Sequence, residues 1–469
     1  MLVIVSDLHL CDGTAYEQNV TEGSFALLQK DIYDLAARYR AKKLDIVFLG
    51  DVFDLLRTNA WFAASPNERP WGEWGQRGAG AITGEKPPAA VLARANQILD
   101  AIIDKNKNVL AALRGLAGAN VTPPPDCDIR RIYLPGNHDR LYLHDDTIRR
   151  KVREQLGAAD ETKLAGEGIY PHRIQMKEYG LLARHGHEWD LFNFQRFNPE
   201  KRAGDYSDED YLATPIGDPI TTELVAALPY ELDLRLRGNP VMERATDGTT
   251  VRERVVKRMQ AIEDVRPLMS ALQWPFYKAQ RMALANDERE AVCRALTDAT
   301  HTLAARFLEM PYFQQWYSSE HSDFHFDVPF GFKAVLEAMR VIGFDTIDRF
   351  KKMIAELAAK AQGDDHDSLG AMKEDLASVG DKGMRFVVYG HTHEPLEIAM
   401  RAGATEDVYL NSGTWRRREF LTDDQLGFIG WENFCYLAFY GPSEQLDAAQ
   451  PIVPRIGPAY ECWMGSRGK

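Results

Sequence analysis

The sequence predicts an α/β fold interrupted by a large, mostly helical insertion. Three observations lead there: apolar, β-branched runs alternate with amphipathic helical patterns early in the chain, strand-like runs vanish from 200 to 380, and they resume from 384. Strand–helix alternation of this kind builds layered α/β structures.

Taken in order, residues 2–5 form a fully apolar run, and 44–49 and 129–134 are two further strand candidates. Such runs, bounded by loop residues, suit strands of a sheet covered on both faces. Between the first two, Leu27, Leu28, Ile32, Leu35 and Ala36 recur at three- and four-residue steps, which predicts an amphipathic helix within 25–43. The stretch 91–116 reads as a helix for the same reason. Residues 58–88 break the rhythm, with Trp61, Phe62, Trp71 and Trp74 among many Gly and Pro residues. A loop this long is often functional; a flap whose tryptophans pack on the body is an equal expectation.

Residues 174–177 and 181–183 read as two short strands joined by Glu178-Tyr179-Gly180. Helical patterning then dominates over 251–265, 279–308 and 346–361, with an aromatic-dense stretch running from Trp274 to Phe332. Strands resume at 384–389, 407–410, 428–431 and 435–439. The expected organisation is one domain formed by 1–199 and 381–469, with 200–380 inserted as a helical cap. The aromatic residues suit the core of that subdomain; as a lid, they would bind a base, sugar or acyl chain.

Composition narrows the function classes. Hydrophobic residues make up 45% and charged residues 27% of the 469, as in ordinary globular proteins. Five scattered cysteines without a Cys-x-x-Cys pair argue against a disulfide framework or thiolate zinc site and fit a reducing compartment. A net charge of -13 opposes non-specific nucleic-acid binding. The start lacks a basic segment followed by a long apolar one, and no run of about 18 apolar residues exists. A cytoplasmic enzyme without a transmembrane segment is the expectation.

Five clusters carry the chemistry, each where an apolar run ends: Asp7-Leu8-His9, Gly50-Asp51-Val52-Phe53-Asp54, Gly136-Asn137-His138-Asp139, His185-Gly186-His187 and Gly390-His391-Thr392-His393. Active sites of open α/β sheets lie at strand ends. Carboxylate, imidazole and amide oxygen suit divalent first-row metals, and the lack of thiolate ligands points to Mn²⁺, Fe or Zn²⁺. Seven of the twelve histidines fall in or beside these segments, counting His144. Each cluster alone is weak; the ordered set is specific.

These clusters, with Ser6 and Leu10 flanking the first, resemble the calcineurin-like metallophosphoesterases over about 1–195 and 383–440. The resemblance implies a four-layer α/β/β/α sandwich with a dinuclear metal site, Mn²⁺ being the first choice. Asp7, His9 and His393 would hold one ion, and Asn137, His185 and His391 the second, with Asp51 bridging. His185 rather than His187 is taken as the ligand, leaving His187 for substrate or a supporting role. His138 would protonate the leaving oxygen or stabilise the transition state, with Asp139 orienting it. Asp54 would fix the loop around Asp51. A water between two such ions loses proton affinity and attacks phosphorus in line.

The implied substrate is a small phosphodiester, pyrophosphate or phosphomonoester. Ser6–Leu10 and Gly50–Asp54 are similar to the branch containing the UDP-diacylglucosamine pyrophosphatases. The chain departs from that branch at His138, where the branch has Arg, and in the length of its insertion. Two rival expectations are a DNA nuclease of the double-strand-break repair type, which the acidic charge opposes, and a non-enzymatic scaffold, which every filled ligand position opposes. Asn411-Ser412-Gly413-Thr414-Trp415 reads as a structural turn behind the site. Arg416-Arg417-Arg418 reads as a solvated charge run, or as a phosphate contact. His321 and His325 would line the site only if the insertion folds over it.

Overall fold

The structure, a computed structural model, describes residues 1–17, 21–71, 87–115, 122–158, 171–190, 192–194, 206–266, 268–320, 328–341, 368–379, 383–402, 405–422, 427–441, 444 and 459–468. The expected helix at 346–361, Trp74, and His321 and His325 lie outside these residues.

The strands are β1 (Leu2–Val5), β2 (Lys43–Leu49), β3 (Asp128–Leu134), β4 (Arg173–Met176), β5 (Leu181–Arg184), β6 (Ala245–Thr246), β7 (Thr249–Thr250), β8 (Val265–Arg266), β9 (Phe386–Tyr389), β10 (Pro395–Ala402), β11 (Thr405–Ser412), β12 (Arg417–Leu421), β13 (Phe428–Tyr440) and β14 (Ala459–Gly468). One mixed sheet runs β3-β2-β1-β13-β12-β8, with β14 also paired to β13; a second runs β10-β11-β9-β5-β4. β1, β2 and β3 are parallel, with Leu2 opposite Asp45 and Leu44 opposite Ile129, and β13 returns antiparallel to β1.

Both faces of the large sheet are covered, which is why its first strands read as apolar runs rather than as alternations. Leu2, Ile4, Val47, Leu49, Ile132 and Leu134 meet Leu181, Ala183, Phe386, Val388 and Leu410 of the second sheet in one shared core. Val3, Val5, Ile46, Phe48 and Tyr133 point the other way, toward Phe25, Leu28 and Ile32 of the helix Glu22–Arg38 and Ile98 and Ile102 of Ala89–Lys105. The outer face of the second sheet packs Val387, Tyr389 and Tyr409 on Ala371 and Met372 of the helix Ser368–Val379.

The expected single helix at 91–116 is two, Ala89–Lys105 and Lys107–Leu113. Buried Asn106 separates them, its Nδ2 donating to the carbonyls of Ile102 and Cys11 at 2.8 and 2.9 Å. An Asn side chain that competes for backbone partners in this way interrupts a helix. The helix expected at 279–308 is likewise split into Trp274–Arg281 and Asn286–Leu308. The two strands expected at 428–439 are the single strand β13.

The segment 206–341 has its own core, centred on Leu232, Leu296, Phe307, Tyr312, Phe313 and Phe332. Trp274, Phe276, Tyr312, Phe313, Trp316 and Phe332 are core here, as their density predicts, whereas Tyr277, Tyr317 and Phe330 are half-buried. The segment is not strand-free, however. β6 and β7 form a small hairpin, and β8 pairs in parallel with β12, so the insertion adds an edge strand to the large sheet. Trp61 and Trp71 are buried, donating to the Leu55 carbonyl at 2.7 Å and to Glu223 Oε1 at 3.0 Å. This part of the 58–88 loop therefore packs on the body. No helix among the described residues is long and apolar enough to cross a membrane.

Candidate metal centre

The five clusters meet at the ends of β1, β2, β3, β5 and β9. Asp7, His9, Asp51, His391 and His393 all have positive φ, between 46° and 66°. They make up five of the eight such non-glycine residues described. That backbone region costs about 1 kcal/mol or more per residue and persists where surrounding structure enforces it, often at functional sites. Here it turns the side chains off the strand ends into one cleft. Two glycines permit the approach: a Cβ at Gly136 would stand 2.2 Å from Asp51 Oδ1, and one at Gly390 would stand 2.6 Å from Asp7 Oδ2.

The first set is Asp7, His9 and His393, all buried. Asp7 Oδ2 accepts from Ser6 Oγ and from the His391 N–H. Asp7 Oδ1 accepts no hydrogen bond and lies 3.2 Å from His393 Nε2 and 3.7 Å from His9 Nε2. The two imidazole nitrogens are 3.1 Å apart. The second set is Asp51, His185 and His391, with Asn137 Oδ1 3.2 Å from His185 Nε2 and 3.1 Å from His391 Nδ1. Asp51 Oδ2 stands between the sets, 3.6 Å from His9 Nε2 and 3.3 Å from His185 Nε2.

Three of these imidazoles are tied on their far side. His9 Nδ1 lies 2.9 Å from Asp54 Oδ2, His185 Nδ1 2.8 Å from the Leu49 carbonyl, and His391 Nε2 2.8 Å from Asp190 Oδ2. A proton held at each of those atoms leaves the other ring nitrogen as a lone pair facing the cleft, the usual arrangement of metal-binding histidines. Asn137 is aimed similarly: its Nδ2 donates to Asn193 Oδ1 at 3.1 Å, which turns its oxygen toward His185 and His391. Buried carboxylates, imidazoles and an amide oxygen, with Asp7 Oδ1 left without a hydrogen-bond donor, fit divalent cations.

Burial works against a charge on His185, but Asp51 and Asp7 outweigh it and raise its pKa to about 10. His187 goes the other way: burial drives it down to about 3, and it packs against His185, Phe194 and Tyr211. The structure thus brings His185, not His187, to Asp51.

Asp54, not Asp139, holds His138. His138 Nδ1 lies 3.0 Å from Asp54 Oδ1, while Asp139 accepts from the N–H groups of Gly136 at 3.0 Å and Phe53 at 3.3 Å. The expected order fails because the turn after Asn137 bends Asp139 back under its own loop. Burial and the charge of Asp51 push the Asp139 pKa up to about 7. Asp54 also pairs with Arg57, which donates to Glu263 Oε2 at 2.6 Å.

The arginine run is no solvated stretch. Arg416 and Arg418 are buried, Arg416 pairing with Asp264 at 3.0 Å and lying 4.1 Å over the Tyr16 ring. The turn expected at Asn411 to Trp415 begins only at Gly413, because Asn411 and Ser412 end β11; Thr414 Oγ1 and the Trp415 N–H both donate to the Asp7 carbonyl. His144 faces the Leu212 carbonyl instead of the site.

Sequence reasoning missed Arg57, Asp190, Asn193 and Arg266. Asp190, three residues past His187, carried the one local signal. A scan against models of protein families finds no match, and a search of curated proteins finds none either.

Proposed function

We propose that this chain is a metal-dependent phosphoesterase of the calcineurin-like type, with two divalent cations held by Asp7, His9 and His393 and by Asn137, His185 and His391, and shared through Asp51. The observation that carries this reading is the convergence of two ligand sets on one carboxylate oxygen. The four-layer α/β/β/α arrangement belongs to the same proposal and is supported by two sheets sharing a core, with helices on their outer faces. Mn²⁺ is the first candidate, with Fe or Zn²⁺ compatible with the same donors.

Two divalent cations held by these residues would supply neutralisation of phosphoryl oxygens and a water of near-neutral pKa. The chain's own residues supply the rest. His138, fixed through Nδ1 by Asp54, keeps Nε2 for a substrate oxygen. Burial opposes its charge, but Asp54 and Asp51 raise its pKa, so it holds a proton to give to the leaving oxygen. Burial of the cleft around Asp7, Asp51 and His185 strengthens each interaction with a phosphate.

The test is a Mn²⁺-supplemented hydrolysis screen over bis-p-nitrophenyl phosphate, p-nitrophenyl phosphate, cyclic nucleotides and nucleotide-sugar pyrophosphates. Asp51→Asn is the control. Turnover of at least one substrate that Asp51→Asn abolishes is expected; full activity in that variant sinks the reading.

A further inference from the structure

Arg266 ends β8, the two-residue strand by which the helical insertion joins the large sheet, and its register partner is Phe420 of β12. Its Nη1 donates to the carbonyls of Glu263 and Val265, at 3.2 and 2.8 Å. Its Nη2 lies 3.2 Å from His393 Nδ1. A cation from the insertion therefore touches the candidate metal centre.

What this guanidinium lacks is an anion. The carboxylates beside it are committed elsewhere, Glu263 to Arg57 at 2.6 Å and Asp264 to Arg416 at 3.0 Å. Among the described residues no carboxylate pairs with Arg266 within 4.0 Å. The half-buried guanidinium is charged at neutral pH, as arginine is throughout proteins. A partly desolvated cation that feels the charges of Arg57 and Arg416 is costly without a counter-ion. Its planar fork matches phosphate oxygens. The far nitrogens of His185 and His391 face acceptors, and that of His9 faces Asp54 as well as the Arg57 donor; the far nitrogen of His393 faces the Arg266 donor.

We propose that Arg266 is the anion-binding residue by which the helical insertion grips the phosphate group of the substrate at the metal centre. The proposal rests on the phosphoesterase reading and deepens it. It gives the insertion a direct contact with substrate, and it favours substrates that keep an anionic phosphoryl oxygen on the His393 side of the cleft.

The test uses the full chain and its Arg266→Met and Arg266→Lys variants. Orthophosphate is titrated calorimetrically into the Mn²⁺-loaded forms, and Mn²⁺ into the metal-free forms. Arg266→Met is expected to weaken orthophosphate binding about 10- to 100-fold, the scale of a charge-assisted contact. Arg266→Lys should recover part of it. Mn²⁺ affinity should hold or rise, because a positive charge beside a ligand is gone. Equal orthophosphate binding by the parent and Arg266→Met overturns the proposal, as does no binding by the parent. A fall in Mn²⁺ affinity with orthophosphate binding unchanged also overturns it, making Arg266 a brace for His393. The hydrolysis screen is decided separately. Orthophosphate held through Arg266 without turnover of any ester would sink the phosphoesterase reading alone, and turnover with indifference to Arg266 would sink this proposal alone.

Discussion

His138 Nδ1 lies 3.0 Å from Asp54 Oδ1, and this one carboxylate also reaches His9 through its other oxygen. Asp54 thereby couples the proposed proton donor to a proposed metal ligand. Asp54→Asn should lower kcat about 100-fold, the lower end of what a positioned general acid contributes, and shift the basic limb of the pH–rate profile to lower pH. Asp139→Asn should act on stability instead. Its amide group would leave one of the Gly136 and Phe53 N–H groups unsatisfied, costing about 1–3 kcal/mol in urea unfolding. The reverse pattern, a rate loss at Asp139 with Asp54→Asn active, would return the orienting role to Asp139.

A second expectation concerns protons. In an unfolded chain His185 has the ordinary imidazole value of 6.5, and in the metal-free fold it is raised to about 10. A group raised on folding stabilises the fold fully below its unfolded value, and that contribution disappears as pH rises through the folded value. The metal-free chain should therefore lose stability between pH 6.5 and about 10, and removal of metal by a chelator should expose that loss. Near pH 7.5, metal binding must displace this proton, so about one proton should be released at His185 and affinity should climb with pH. Calorimetric titration of Mn²⁺ in two buffers of different ionisation enthalpy measures the release. Identical heats in both buffers would contradict it.

Asp190 gives a third. It accepts from His391 Nε2 at 2.8 Å and is itself held by the Phe192 N–H at 2.8 Å and Asn193 Nδ2 at 2.6 Å. Asp190→Asn would loosen both His391 and, through Asn193, the orientation of Asn137. Partners of this kind affect metal affinity about 10- to 100-fold when removed. Loss of Mn²⁺ affinity on that scale, with a folded far-ultraviolet spectrum, is the expected outcome; unchanged affinity would make Asp190 incidental to the site.

Much of this candidate centre was legible in the sequence because its proposed ligands sit in short motifs at the ends of apolar strands, where local pattern and position coincide. Asp7-Leu8-His9 and His391-Thr392-His393 needed only the strand before them to be located. What the sequence hid is contact between distant segments. Glu263 reaches Arg57 across 206 positions and Arg266 reaches His393 across 127, with no periodicity to mark either. β12 escaped notice because its first three residues, Arg417-Arg418-Glu419, look like surface, yet pairing with β13 and β8 buries Arg418 and Glu419. Tertiary packing overrode local composition there.

The same burial yields a last expectation, at Arg416 and Arg417. Arg416 is 3% exposed, its guanidinium paired with Asp264, whose own exposure is 2%. Arg417 pairs with Glu419 at 2.9 Å but keeps its side chain 27% exposed, and the buried Glu419 retains Lys278 at 2.8 Å when Arg417 is removed. Removing one partner of a buried pair leaves the other charge uncompensated, at a cost of about 3–5 kcal/mol, whereas a partly solvated pair contributes about 0–1 kcal/mol. Arg416→Met should therefore lower the urea midpoint sharply and Arg417→Met barely. Asp264 sits directly before β8, so the loss at Arg416 should also loosen the strand that carries Arg266. The double variant Arg416→Met/Asp264→Asn should recover part of the stability, because it removes the stranded charge along with its partner. Equal effects at Arg416 and Arg417 would mean that the run is solvated after all, as its composition alone suggests.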